Sequence, residues 1–295
     1  MSPRARGYAL LVVVYAAALA AAWATVAFTP HEAPLDGPVA RGALAYAVAT
    51  LVVFGFSVAT SNSSMYDPYW SVAPPALFAY WAALVEAIPP RALVACALLL
   101  IWAVRLTHNF LRGFADARHE DWRYVELRAK HGARYWLVSF VGIHGFPSAL
   151  TFGGSVSLFV VLEAGATPLG PLDALAALVT LAGIAYEAIA DAQLRAFKRS
   201  DPPAGAWIRA GLWRHSRHPN YFGETTFWWG LYLFAAAAAP AAWWAAIGPA
   251  AITLLFFFVS IPLMDARMSA RRPGYADYAK RVSRLVPWPV RDDPR

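Results

Sequence analysis

Apolar residues occur along this chain in runs of about 20, separated by short polar segments. The runs cover residues 8–28, 41–60, 74–88, 92–112, 136–162, 172–193, 224–239 and 242–264. Because a helix of about 20 apolar residues spans a bilayer, the pattern predicts an all-α fold, a polytopic membrane bundle of seven or eight transmembrane helices with short cytoplasmic caps. The number is open because Pro74 and Pro75 open the third run, Pro89 and Pro90 end it, and Pro240 separates the last two.

The composition agrees with a membrane protein built as one domain. Of the 295 residues, 59% are hydrophobic and only 15% are charged, a balance that is rare in soluble domains. We therefore expect a single membrane domain over residues 1–295. The first run follows Arg4 and Arg6, as a signal peptide would, but it continues to Phe28 with no polar mature domain behind it, so we interpret it as a retained helix.

Lysine and arginine cluster in a few of the segments between the runs. Of the 25, two lie in the N-terminal tail, six in 112–134, six in 195–217 and eight in 267–295. Basic loops stay in the cytoplasm, which predicts that both termini are cytoplasmic if the protein has eight spans. The net charge of +7 thus reports topology. We expect membrane lipids as partners and no nucleic acid.

Ionisable residues in or beside an apolar run are candidates for function, because burying them in a bilayer is costly. Asp67 lies between Tyr66 and Tyr69 at the start of the third run, and no lysine or arginine lies within ten residues of it. It could cap the helix that follows. Alternatively, it could donate a proton to a substrate, with the tyrosine hydroxyls in the same hydrogen-bond network.

A second polar group ends the fourth run. Arg105 and Asn109 share a helix face at a spacing of four, and His108 lies beside them. Such a trio could bind a phosphate or an amide inside the bundle. Arg105 could equally extend to the membrane interface.

A third group lies on the helix predicted over 172–193. Glu187 and Asp191 are four residues apart and are followed by Arg195 and Lys198. Two carboxylates followed by two cations suggest a polar ligand at the membrane surface. Salt bridges among these side chains are the alternative.

The most specific motif comes directly before the seventh run. It reads Arg214-His215-Ser216-Arg217-His218-Pro219-Asn220-Tyr221-Phe222-Gly223-Glu224. A basic segment before a helix N-terminus favours an anion site, because the free N–H groups and the helix dipole attract negative charge. Topology alone would explain the arginines but not the ordered residues that follow them.

Together with 187–198 and a C-terminal segment containing Arg267, Arg271 and Tyr275, this motif resembles the steroid 5-alpha-reductase family. The resemblance covers roughly residues 60–290 and leaves 8–60 as one or two additional helices. Sterol reductases share the Arg-His-Pro-Asn-Tyr element. Isoprenylcysteine carboxyl methyltransferases have a similar one.

The resemblance implies NADPH-dependent reduction of the carbon–carbon double bond of a 4-en-3-oxo steroid or similar enone lipid, which would enter from the bilayer. It implies no metal. The candidate catalytic residues are Asp67, Tyr66, Tyr69 and His108. The candidate cofactor-binding residues are Arg105, Asn109, Glu187, Asp191, Arg195, Lys198, Arg214, Arg217, His218, Asn220, Tyr221, Glu224, Arg267, Arg271 and Tyr275.

Two functions of other classes remain open. The first is an S-adenosylmethionine-dependent methyltransferase acting on an isoprenylcysteine or a lipid, which would need neither Asp67 nor eight cations in the C-terminal segment. The second is a channel or transporter, which should show repeated halves or broken helices related by symmetry. No such repeat is visible in the sequence.

Overall fold

The computed structural model describes residues 1–29, 37–164 and 167–290, and most of them are helical. The predicted all-α fold is confirmed. The helices are α1 (Pro3–Phe28), α2 (Pro38–Ala59), α3 (Tyr69–Ala82), α4 (Pro90–Gly113), α5 (Trp122–His131), α6 (Tyr135–Ser139), α7 (Phe146–Ala164), α8 (Pro171–Arg199), α9 (Pro219–Ala238), α10 (Ile247–Leu255), α11 (Ile261–Arg271) and α12 (Tyr275–Arg281). We predicted one domain, and the helices group into two compact units, Met1–Thr167 with α1 to α7 and Pro168–Arg295 with α8 to α12.

Six helices in the described part of the chain are long and apolar enough to cross a membrane. They are α1, α2, α4, the continuous helix Trp122–Ala164, α8 and the continuous helix Pro240–Arg271. The protein is therefore a multi-pass membrane protein. The apolar runs 74–88 and 224–239 correspond to α3, with 14 residues, and α9, with 20, which are not among the six. The total of seven or eight spans stays a prediction.

The third helix differs from its prediction in position. We expected Pro74 and Pro75 to open it, but α3 begins at Tyr69, so both prolines lie inside it. Proline is tolerated best in the first turn of a helix, where its missing N–H has no partner to lose. Pro74 and Pro75 have no N–H to donate to the carbonyl oxygens of Trp70 and Ser71, which lie four residues earlier.

Both long continuous helices contain a wider π-helical turn, at Phe140–Gly145 and at Phe256–Ser260. In each case a proline follows directly in the next helix, Pro147 and Pro262. Because proline has no N–H, the carbonyl four residues earlier loses its regular partner. A π turn accommodates this defect without ending the helix.

In the second unit, α8 and α9 pack at the distance that glycine allows. A Cβ at Gly183 would lie 2.5 Å from the backbone nitrogen of Phe227, and a Cβ at Gly230 would lie 2.7 Å from the Cα of Thr180. Small residues permit such close packing between membrane helices. The contact fixes the α9 N-terminus, where the basic motif ends, beside the polar half of α8.

We expect Gly183→Ala to destabilise the protein by about 1–3 kcal/mol, because the new methyl group collides with backbone that cannot move aside. Gly55→Ala is the matched control, since a Cβ at Gly55 on α2 would meet nothing within 4 Å. Thermal unfolding in detergent measures both. Equal melting temperatures for the two variants would contradict the close packing of α8 and α9.

Candidate functional site

An apolar cavity of about 440 Å³ lies between α1, α2 and α3 in the first unit. Its lining residues are Tyr15, Ala18, Leu19, Ala22, Trp23, Val26, Gly42, Ala45, Tyr46, Ala49, Tyr69, Val72, Ala73, Ala76, Leu77, Tyr80, Ala83 and Leu84. Three of these large apolar side chains, Leu19, Trp23 and Leu84, are also exposed on the outer surface. A membrane-soluble molecule could therefore reach the cavity sideways from the lipid.

In one part of this lining, two tyrosines, Tyr15 and Tyr46, lie near a third, Tyr69. The ring centroid of Tyr69 lies 5.6 Å from that of Tyr46 and 6.4 Å from that of Tyr15. The Tyr69 hydroxyl donates to the Tyr46 carbonyl oxygen at 3.2 Å and accepts from the Thr50 hydroxyl at 3.4 Å. Both bonds are long for hydroxyl groups, so Tyr69 could exchange them for a bond to a ligand.

Asp67 lies on a loop that is held firmly by a second loop. The Asn62 amide donates to the carbonyl oxygens of Ala117 and His119 at 2.8 and 3.1 Å. The backbone N–H of Ser63 donates to the Glu120 carboxylate at 2.7 Å. These bonds fix the segment that leads into Asp67.

Asp67 directly precedes Pro68, the N-cap residue of α3. Its Oδ1 accepts a hydrogen bond from the Tyr124 hydroxyl at 2.5 Å. Burial raises the pKa of Asp67 to about 6, although the charge of Arg123 and the bond from Tyr124 lower it. Both partners come from α5, so the cation that is absent nearby in sequence is supplied by another helix.

The remaining predicted catalytic residues are not all in one place. Tyr66 is buried, and its hydroxyl pairs with that of Ser148 at 3.0 Å. His108 is exposed on α4, and the histidine beside Tyr66 is instead the fully buried His144, at a ring-centroid distance of 4.9 Å. Arg105 and Asn109, also on α4, are half-buried.

Sequence reasoning missed four residues around this site, Tyr15, Tyr46, Tyr124 and His144. Only His144 carried a signal, as an ionisable residue inside the apolar run 136–162. Tyrosines are common in membrane helices and loops, so their convergence required the fold.

In the second unit, a partly buried carboxylate joins three predicted residues. Asp265 on α11 pairs through Oδ2 with Nη1 of Arg217 at 3.0 Å. Its Oδ1 contacts Nε2 of His218 at 3.1 Å and accepts from the Tyr275 hydroxyl at 2.8 Å. Asp265 itself was not predicted. Its signal was a carboxylate at the end of the last apolar run, two residues before Arg267.

Backbone hydrogen bonds connect the basic motif to the C-terminal segment. The Arg217 N–H donates to the Ser283 carbonyl oxygen at 2.9 Å, and the Trp288 N–H donates to that of His215 at 3.0 Å. The Ser216 hydroxyl donates to the carbonyl oxygen of Leu285 at 2.7 Å. Residues 215–217 and 283–288 therefore form one rigid strip.

The other predicted residues of this unit lie on α8 and α9 or near them. Glu187, Asp191 and Glu224 are buried, Arg195, Asn220 and Tyr221 are half-buried, and Lys198 and Arg214 are exposed. The Glu224 carboxylate accepts from the Trp228 indole N–H at 2.9 Å, a bond within α9. Tyr221 stacks between His218 and Phe256, at ring-centroid distances of 5.4 and 4.7 Å.

Three of the predicted cofactor-binding arginines line one or the other of two cavities. Arg267 and Arg271 line one of about 210 Å³ together with Arg272 and Gly205. Arg217 lines another, of about 390 Å³. Within the described ranges, no group of three or more His, Cys, Asp or Glu side chains could hold a metal ion.

A family model described as "Protein of unknown function (DUF1295)" matches residues 53–282. The chain belongs to this family. An uncharacterized protein of Schizosaccharomyces pombe is 27% identical over 273 residues, which cover 82% of this chain and 79% of the relative. No solved structure matches. The DUF1295 match begins within α2, so α1, which forms one wall of the apolar cavity, lies outside it.

We expect Asp265→Asn to destabilise the protein by about 3–5 kcal/mol, because breaking a buried pair leaves the Arg217 charge uncompensated. Asp277→Asn is the matched control, since it removes an exposed carboxylate paired with Lys280 in the same unit and should cause no measurable change. Thermal unfolding in detergent compares the two. Similar losses in both variants would show that Asp265 does not organise this site.

The raised pKa of Asp67 predicts a pH dependence of stability. Because the folded-state pKa, about 6, exceeds the ordinary value of 3.8, the folded state binds the proton more tightly, and this contribution to stability is lost as pH rises from about 4 to about 6. Asp67→Asn should remove that loss. Melting temperatures of both proteins across this range measure it, and a constant difference between them would contradict the burial of the carboxyl.

Proposed function

We propose that this protein is an NADPH-dependent membrane reductase that reduces the carbon–carbon double bond of a 4-en-3-oxo steroid or a similar enone lipid. The observation that carries the proposal is the cavity between α1, α2 and α3, which is apolar along most of its lining and has the rings of Tyr15 and Tyr46 packed near that of Tyr69 in one part. The motif's resemblance to the steroid 5-alpha-reductase family supports it.

The cavity suits a substrate that is apolar except for one carbonyl group. Its volume of about 440 Å³ lies in the usual range for ligand pockets. The aliphatic wall would hold a ring system or chain, and the exposed apolar side chains at its edge allow entry from lipid. A strongly polar substrate would find few partners there.

The tyrosine cluster provides the stabilisation that this reaction needs. Hydride addition to the beta carbon of an enone moves negative charge onto the carbonyl oxygen, and a hydrogen bond donated to that oxygen lowers the barrier. Tyr69 is the best-placed donor among the predicted residues, because it lines the cavity and its present hydrogen bonds are long. An apolar, water-poor cavity strengthens such a bond.

The second unit offers residues that fit NADPH. Bound NADPH would supply the hydride. Three guanidinium groups around the 210 Å³ cavity, from Arg267, Arg271 and Arg272, match a phosphate in charge and hydrogen-bond geometry. By the family resemblance, Asp191, Asn220 and Glu224 would hold the nicotinamide and ribose. The basic segments that contain these residues support a cytoplasmic cofactor site in a bacterial inner membrane, with both termini cytoplasmic.

Turnover of a 4-en-3-oxo steroid by the purified protein, followed by the oxidation of NADPH, tests the proposal. We expect Tyr69→Phe to lower turnover by about a hundredfold, the scale of losing one donor to a developing oxyanion. NADPH should still raise the melting temperature of this variant, because the cofactor residues are untouched.

Tyr8→Phe is the matched control, since it removes a hydroxyl of the first unit that bonds Leu111 and does not line the cavity. It should retain wild-type turnover. Stabilisation by S-adenosylmethionine and not by NADPH would replace the reductase with the methyltransferase. Wild-type turnover in Tyr69→Phe would exclude this tyrosine as the donor.

A further inference from the structure

The second cationic cavity of the second unit is lined by one predicted cofactor-binding residue, Arg217, and by three cations that the proposed function does not use. Its volume is about 390 Å³. The lining residues are Arg217, Ala279, Lys280, Arg281, Val282, Ser283, Arg284, Val286, Trp288 and Pro289. Among the described residues, the lining thus contains four cations and no carboxylate. Such a concentration of positive charge favours an anion.

One of these cations is buried with bonding capacity to spare. Arg217 has only 8% of its side chain exposed, and its Nη1 pairs with Asp265. Its buried Nε has no hydrogen-bond partner among the described residues. A buried donor without a partner costs free energy, so an acceptor atom from a ligand in the cavity would relieve this cost.

The wall of the cavity is preorganised. The bonds from Arg217 to Ser283 and from Ser216 to Leu285 hold residues 283–288 in place. The Tyr278 hydroxyl donates to the Trp213 carbonyl oxygen at 2.7 Å, which anchors α12 just before Lys280. A ligand would therefore meet cations that are presented on a fixed backbone.

The surroundings of the cavity are those of a membrane interface. The Arg284 guanidinium lies 4.9 Å from the ring centroid of Phe257, on the apolar helix Pro240–Arg271. Its neighbour Phe258 is 65% exposed, and Trp288 of the lining is also 65% exposed. Exposed aromatic rings beside cations are typical of the level of lipid headgroups.

We propose that this cavity binds the phosphate of an anionic phospholipid, whose acyl chains would lie along the apolar surface beside Phe257 and Phe258. The headgroup phosphate would supply an acceptor oxygen for the Arg217 Nε and a charge complementary to the exposed cations of the lining. The apolar neighbours favour a lipid over a soluble phosphate. This site does not depend on the reductase function, and it shares no lining residue with the cavity of Arg267 and Arg271.

Native mass spectrometry of the detergent-solubilised protein with dioleoyl phosphatidylglycerol tests the site. The variant Arg281→Gln with Arg284→Gln removes two exposed cations of the lining and leaves Arg217 in place. We expect it to weaken binding of this lipid by about tenfold or more. The matched control, Arg118→Gln with Arg199→Gln, removes two exposed arginines elsewhere and should bind like the wild type.

The other arms identify the source of the phosphate. Dioleoyl phosphatidylcholine should bind the wild type more weakly, because its headgroup has no net charge. Equal binding of both lipids, an equal loss in the control variant or wild-type binding in the double variant would overturn the proposal. Displacement of the lipid by inorganic phosphate or NADPH at similar concentration would also overturn it, in favour of a soluble ligand. A protein that fails to bind NADPH but retains the lipid would contradict only the reductase.

Discussion

Every ionisable group that this chain removes from water needs donors or opposite charge within reach, and Asp265 shows how far this need organises the second unit. Its carboxylate contacts Arg217 and His218, the second of which is 47 positions away in sequence, and Tyr275, which is 10 positions away. A buried carboxylate without such partners would be costly. These contacts therefore hold the start of α9 and the start of α12 against α11. Residues 283–288 are held in turn by their backbone bonds to residues 215–217.

The same requirement is met less completely at Asp67 in the first unit. One tyrosine donates to this carboxyl, and the charge of Arg123 acts on it, yet burial still raises its pKa to about 6. Asp265 has a guanidinium, an imidazole and a hydroxyl as partners, which suits a structural role. A carboxyl that gains and loses its proton near neutral pH is better suited to chemistry. This contrast supports the proposal that catalysis takes place in the first unit, near the tyrosines of the cavity.

The periodicity of apolar residues predicted the helices because a membrane span is a local property of the sequence. It fails at α3, because Pro74 and Pro75 are predicted to open this helix and instead lie within it. The tyrosines around Asp67 and Tyr69 could not be predicted from the sequence, for a different reason. Tyr124 is 57 positions from Asp67, and Tyr15 and Tyr46 lie on two further helices. Convergence of this kind depends on tertiary packing, which composition and spacing do not contain.

The lysines and arginines of the second unit also show what the fold adds to the sequence pattern. The clustering of lysine and arginine in a few loops predicts that these loops lie in the cytoplasm. This explanation is the same for every one of these residues. The fold separates them: Arg199 is exposed at the end of α8, Arg267 and Arg271 share one cavity, and Arg217 lines another. A lysine or arginine that only determines the membrane topology can be exposed and does not need to line a cavity. Where guanidinium groups converge on a cavity, and one is buried with a donor to spare, a bound anion explains more than topology does.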